Sequence, residues 1–461
     1  MPRGKQRTNF GAESSLTPGS YNIDRITLTT HAGDIFYIEN VVVKVTITES
    51  LYSPNLIAQL DIKDTSNFFE SSPLIGQEKI KIEISSRPKG WDGAMTKAAV
   101  RKSSVKKIDL DFIVTEYPLY GSITAEHTNV YTIACVSDHA YYSRLSKISR
   151  SFTNLTDVEI KKIITQDLGF ANFEVNGEVD SRMKGIIRWQ TPLEAAEWLR
   201  KKTYDGSFSP FFLYHSLDNV IRLSSLHELM AAESYHTYFD EREFNFQPYS
   251  EQDYNQRASR ILDVASDFKL GKVYQGANGG WASENNYLDY SYKTYTKYDY
   301  NYENDFNQSL TLNQKTPLST QFDVNGEKLN LMPKSHLEHV SVNNLSYGEE
   351  DKNYNKLKEK TQGKMQAIEE ALETVSHDIK LFGDLELNPG TVIELKFPKA
   401  VDPAVMKDLL ANMKHSPTGS KDLYDQHLSG RHLITSTNHI FEGGEYFSEV
   451  RVKKDSFSFE L

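Results

Sequence analysis

Ile80-Lys81-Ile82-Glu83-Ile84 alternates apolar and charged side chains at a period of two. That pattern is a strand with one face in a core and the other in water. Working outward, Val41, Val43, Val45 and Ile47 alternate with Val42, Lys44, Thr46 and Thr48, and Ile108, Leu110, Phe112 and Val114 alternate with Asp109, Asp111 and Ile113. Tyr131, Ile133 and Cys135 continue the pattern beyond the turn region Pro118–Gly121. The first 140 residues therefore read as about half a dozen strands with no helix, and a small antiparallel barrel or sandwich is the closure that removes exposed edges.

Helical spacing begins near residue 155. Thr156 and Glu159 read as a capping box with Leu155 and Ile160 as its staple, and Gly169 as the stop. Thr191, Pro192 and Glu194 open a second helix in the same way. Phe211–Tyr214 and Val220–Leu223 flank Leu217-Asp218-Asn219 as a hairpin, and Asp351–Val375 reads as a helix with a break allowed at Gly363. The last 85 or so residues return to strands.

Those last strands repeat the first. Pro73-Leu74-Ile75-Gly76 precedes the strand Ile80–Ile84, an insertion follows, and a strand pair Ile108–Glu116 and Asn129–Val136 closes the block. Asn388-Pro389-Gly390 precedes Ile393, Leu395 and Phe397, an insertion follows, and Arg431–Asn438 and Tyr446–Val452 close the second block. Two all-β segments share such a pattern by chance as well as by duplication; duplication has a geometric use. A chain with two like barrels carries six when it trimerises, so a threefold object presents a near-sixfold ring.

The 461 residues allow two to four domains. Lys and Arg number 52 against 63 Asp and Glu, a net charge of −11, which excludes packaging of nucleic acid by charge. Residues 1–230 sum to zero, so residues 231–461 hold the whole excess. Arg87–Lys107 is a local basic insertion, read as a solvated loop before a grip on an acidic partner. The lone Cys135 cannot form an intrachain disulfide or a thiolate metal site and reads as a core thiol, and no apolar run is long enough to span a membrane or serve as a signal peptide.

Enzyme chemistry finds little footing. His336 and His339 lack a third ligand at metal spacing, and Gly276–Gly280 lacks the Lys-Ser or Lys-Thr of a phosphate loop. The carboxylates of Asp289–Asp305 have no separation that sequence can fix. No catalytic, cofactor or metal residue is assigned. The Tyr and Asn tract is read first as a subunit or partner contact, through Trp281, Tyr287, Tyr290, Tyr292, Tyr295 and Tyr298, with sugar stacking and an ordinary hairpin edge as alternatives.

Gly430-Arg431-His432-Leu433-Ile434-Thr435-Ser436, His439, Glu445–Val450 and Lys454-Asp455-Ser456 resemble the closing strands of the baseplate central hub proteins of contractile-tailed bacteriophages. Leu387–Ile393, Trp189–Leu199, Pro210–Tyr214 with Arg222–Leu226, and Gly276–Asp289 with Lys293 and Tyr295 agree in order. The resemblance implies a homotrimer whose two related tube-like barrels form a ring that meets the tail tube protein on one side and the central spike protein on the other. It also implies contacts with other baseplate proteins, DNA passing through as cargo, assembly in the host cytoplasm and a place in the virion tail. The spike is expected to be a separate polypeptide.

The expected fold is mainly β with α+β parts: two related antiparallel barrels, the second discontinuous, and helix-containing lateral domains. The expected division is a first barrel over 1–140 with the insertion 87–107, a lateral domain over 141–205, a hairpin of the second barrel over 206–230, a lateral domain with the Tyr/Asn tract over 231–350, a connecting helix over 351–375 and the second barrel over 376–461. The segment 398–428 matches no motif. Alternatives to the hub are a carbohydrate-directed protein, either a cell-wall hydrolase or a glycan-binding adhesin, and the hub of a secretion or injection apparatus.

Overall fold

The structure, a computed structural model, describes residues 19–64, 74–86, 106–116, 129–240, 257–268, 282–289, 293–301, 310–313, 323–324, 327–328, 337–342, 354–399 and 424–458. Most of the basic insertion, most of 398–428 and the Gly276–Gly280 turn lie outside them, as do Trp281, Tyr290, Tyr292 and His336.

Seven strands come first: β1 (Tyr21–Thr29), β2 (Ile35–Tyr37), β3 (Val42–Ser50), β4 (Ser53–Asp64), β5 (Lys79–Ser86), β6 (Lys106–Glu116) and β7 (Asn129–Ser137). They lie side by side in the order β2-β1-β5-β6-β7-β4-β3, every pair antiparallel. The alternation read from sequence sends Ile80, Ile82 and Ile84 into one core with Ile26, Ile47, Leu60, Phe112 and Cys135. That core is shared by all the longer strands, so the sheet curls into a barrel. Its seam between β1 and β3 is spanned by the chain after β2, where Ile38 N donates to Ile26 O and Val42 N to Ile38 O.

A helical region follows, with α1 (Asp138–Leu145), β8 (Ile148–Leu155), α2 (Thr156–Lys162) running into a π-helical turn Ile163–Asp167, β9 (Phe173–Asn176), β10 (Arg182–Gln190) and α3 (Pro192–Arg200). Thr191 caps α3 with the full reciprocal box expected of it. Thr156 is not a cap. It is the first helical residue of α2, and its buried hydroxyl is shared with Ser181 and Thr203 instead of a free backbone N–H. Gly169 does end the helical run, at φ +70°.

Next come β11 (Phe211–Ser216), β12 (Val220–Ser225) and α4 (Leu226–Ala231). The hairpin turns at Asn219, φ +60°, as its sequence predicts. It is not part of the second barrel. It pairs with β9 in a separate three-stranded sheet, and every residue of β11 is buried. Phe211 and Leu213 pack toward the helical region and Phe212 and Tyr214 toward the barrel's outside, so both faces are covered, which a barrel wall open to water on one side cannot provide.

The remaining elements are β13 (Thr237–Asp240), β14 (Arg260–Phe268), β15 (Ala282–Asp289), β16 (Thr294–Asn301), the two-residue pair β17 (Asp323–Val324) and β18 (Glu327–Lys328), β19 (Leu337–Val342), α5 (Tyr354–Ala371), β20 (Val375–Phe382), β21 (Val392–Lys396), β22 (Gly430–Glu442) and β23 (Glu445–Lys454). The second barrel is the closed ring β13-β21-β22-β23-β20-β14. Its core gathers Tyr238, Ile379, Leu381, Leu395, Ile434 and Val452. Two of its strands, β13 and β14, come from the stretch expected to be lateral. Four-residue β13 is too short for its alternation to stand out in sequence.

Setting β2 aside, the strands of the first barrel run, by their rank along the chain, first-fourth-fifth-sixth-third-second around the sheet. The second barrel, from β13 to β14, has the same permutation. Two barrels built by one route through six strands are the duplicated module suggested by the sequence repeat. One pairing differs in direction: β1 meets β5 antiparallel, whereas β13 meets β21 parallel.

Candidate functional site

The two barrels meet along a shared sheet. β3 gives one edge to β4 and the other, from Lys44 to Ser50, to β22, opposite Glu442 to Ser436. β22 is long enough for two neighbours on that side, with Gly430–Leu433 facing β21 and the remainder facing β3, while its other edge holds β23.

A polar cluster is buried at this joint. Val45 and Ile47 face the core, so period two carries Glu49 inward with them. The same parity on β22 puts His439 inward beside Phe441. His439 Nε2 and Glu49 Oε1 are 2.9 Å apart, the Tyr446 hydroxyl lies 2.6 Å from His439 Nδ1, and Leu217 N, in the hairpin turn, donates to Glu49 Oε2 at 3.0 Å. Loss of hydration pushes the Glu49 carboxyl above its ordinary range, against the pull of its bond to His439. The trio has the order of a catalytic relay, but Glu49, His439 and Tyr446 are all 0% exposed, so no substrate atom reaches them. What it does is tie β3, β22, β23 and the hairpin turn into one fixed arrangement.

Outside, the shared sheet makes a continuous polar face across both barrels. One cross-strand row runs Asp263, Lys380, Glu449, Asn438, Thr48, Ile57, Val136 from β14 to β7, and the next runs Ala265, Asp378, Arg451, Ser436, Ser50. Over the second barrel this face is hollowed by a depression of about 400 Å³. Arg451 grips Asp378 with two bonds of 2.7 and 2.8 Å and holds its carboxyl below the usual range. Both groups are more than half exposed, so the pair shapes the surface more than it stabilises the fold.

Of the tyrosine tract, Tyr287, Tyr295, Tyr298 and Tyr300 lie on described strands. Tyr287 sits on β15 opposite Thr296, while Tyr295 and Tyr298 belong to β16. Alternation then separates them: Tyr295 is 61% exposed and donates its hydroxyl to Asn286, whereas Tyr298 shares the other face with buried Tyr300. Tyr300 lies on Gly363, where a Cβ would come within 2.6 Å of the ring, so this glycine accommodates a ring within an unbroken α5. Asp289 and Asp299 stand five register positions apart, about 17 Å along the strands and beyond the ~5–10 Å of paired glycosidase carboxylates. His339 lies on β19, and no cluster of metal-binding side chains occurs among the described residues. Among these residues, no helix is long and apolar enough to cross a membrane.

Glu49 and His439 hold the joint together, yet the motifs pass over Glu49 and quote His439 only for its place in the closing strands. Their signal is a polar group on the core parity of a strand.

No protein-family profile matches the chain, and no curated protein does. Among solved structures, the tail protein from Neisseria meningitidis MC58 is similar over 95% of this chain and 97% of its own, at 10% identity and a TM-score of 0.52. The 43 kDa tail protein of prophage MuSo2 from Shewanella oneidensis aligns over 94% and 98% at 11% identity, with a TM-score of 0.48. A type VI secretion system component of E. coli aligns over 91% and 76% at 9% identity, with a TM-score of 0.41. The Neisseria comparison establishes that this chain shares the fold of that tail protein.

Proposed function

We propose that the chain is the central hub of a contractile tail baseplate or of a related injection apparatus: a non-enzymatic homotrimer whose six barrels form the ring on which tail tube protein is laid and beneath which the spike docks. The supporting observation is the joint between the barrels. The second strand of the first barrel, β3, offers its outer edge to the fifth strand of the second, β22. The matching second strand of the second barrel, β14, pairs with β13 at Arg260 and Ile261 alone, and among the described residues its outer edge from Leu262 to Phe268 carries no strand. An open edge of that length invites a partner. The fifth strand of a neighbouring copy's first barrel, β6, is its counterpart, and it outruns its partner at its Thr115–Glu116 end, beyond the bond from Val114 N to Glu78 O.

Three repeats of that contact close a ring of six like units. The ring templates the tube because the entropy of association is lost once, in building the trimer, and the first tube subunits then meet a preformed surface. Other baseplate proteins contact the outside, and DNA passes as cargo through a protein whose net charge of −11 does not favour holding it. Sedimentation equilibrium tests the reading: the expected mass is three times the 52.7 kDa chain, and a monomer at all concentrations overturns it.

A further inference from the structure

The sheet of β8 and β10 has two unlike faces. Its inner face, with Phe152, Met183 and Ile187, belongs to the core under α2 and α3, and there Arg150 is paired with Glu159 and Asp167. Its outer face carries Lys184, Ile186 and Arg188 from β10 among Ser149, Ser151 and Thr153 of β8, all exposed and none acidic. Lys184 and Arg188 make no ion pair among the described residues, in a chain whose net charge is −11.

The backbone holds one apolar member of this face, Trp189, out toward water. Between Ile187 and Gln190 the register slips by one residue, and Trp189 in that bulge has φ +48°, a left-handed conformation that a bulky side chain adopts only under constraint. Trp189 is 68% exposed, Ile186 61%, and Leu145, at the end of α1 just before the strand that faces Gln190, 70%. Strain spent on presenting an indole to water, beside unpaired cations, is the arrangement of an interface anchor with a charged rim.

We propose that this face docks onto a second copy of the chain, against its acidic half. The charge distribution selects that occupant: residues 1–230 are neutral overall and residues 231–461 hold the entire negative excess. Two basic faces meeting across a twofold axis would repel. A threefold ring instead joins two different surfaces of successive copies, and a basic face with an acidic counterpart meets that requirement. The inference rests on the trimer reading above and adds to it a second contact besides the strand edges.

Sedimentation equilibrium of the full chain tests it, at low and high salt, for wild type, Trp189→Ser, Trp189→Phe and the pair Lys184→Glu with Arg188→Glu. These side chains are exposed, and circular dichroism checks that each variant folds. The expected result is a trimer that loosens with salt, a dissociation midpoint raised at least about tenfold by Trp189→Ser and by the charge reversal, and a smaller change for Trp189→Phe. A wild-type trimer whose variants assemble equally well overturns this contact and leaves the hub reading standing; a wild type that never assembles overturns both.

Discussion

Removing the Glu49 side chain leaves His439 buried with one nitrogen unpaired and frees Leu217 N inside the joint. Leaving a buried polar group unsatisfied costs about 1–3 kcal/mol, and two are left here, so Glu49→Ala is expected to lower the unfolding free energy measured in urea by about 2–6 kcal/mol. A loss under about 1 kcal/mol would mean that the strand ladder alone holds the barrels together. Three buried histidines, His377 and His432 in contact and His215 apart from them, set the response to acid. Burial depresses His377 to about 4 and His215 to about 3, and takes His432 far below its ordinary value. Each is neutral when folded and gains a proton on unfolding below its ordinary value near 6.5. Its contribution is therefore complete above 6.5 and is lost as the pH falls through the depressed value. Stability should decline from pH 6.5 toward 4.5, and His377→Leu should flatten that decline by about 1.4 kcal/mol per pH unit. Parallel profiles for wild type and variant would contradict the assignment. The alternation read from sequence stops at Thr48, one residue short of Glu49, and its partner could not be read at all, because a cross-barrel contact spanning 390 positions leaves no local mark.

At the scale of elements, what sequence made legible follows the strength of local periodicity. The strands around Ile80–Ile84, the hairpin at Asn219 and the cap of α3 stand where their residues put them, because each is decided within a few positions. Assigning elements to barrels is decided by long-range pairing instead. The Phe211–Ser225 hairpin reads like a barrel strand pair, yet burial of both faces of β11 places it in the sheet with β9. The strand it displaces, β13, meets the barrel through parallel ladders of two and three residue pairs. Within the tyrosine tract, the pleat of β16 puts Tyr295 on one face and Tyr298 and Tyr300 on the other, a division that a count of seven tyrosines in sixteen residues does not carry. Gly363 was legible as a special position, though its role is to admit the Tyr300 ring and not to break the helix.

For the whole molecule, duplication is the organising fact. One strand permutation occurs twice in the chain, joined through β3 and β22, and the outer edge of β14 repeats the edge that β3 has already filled. The proposed assembly asks each copy to use that second edge as the chain uses its first. Cryo-electron microscopy of the assembled protein measures this directly, through the radial positions of the barrels. Threefold particles are expected in which both barrels of every chain lie at one radius, giving a nearly sixfold ring with β14 of each copy beside β6 of the next. Barrels at two different radii, or β14 edges facing solvent in a closed assembly, would contradict it.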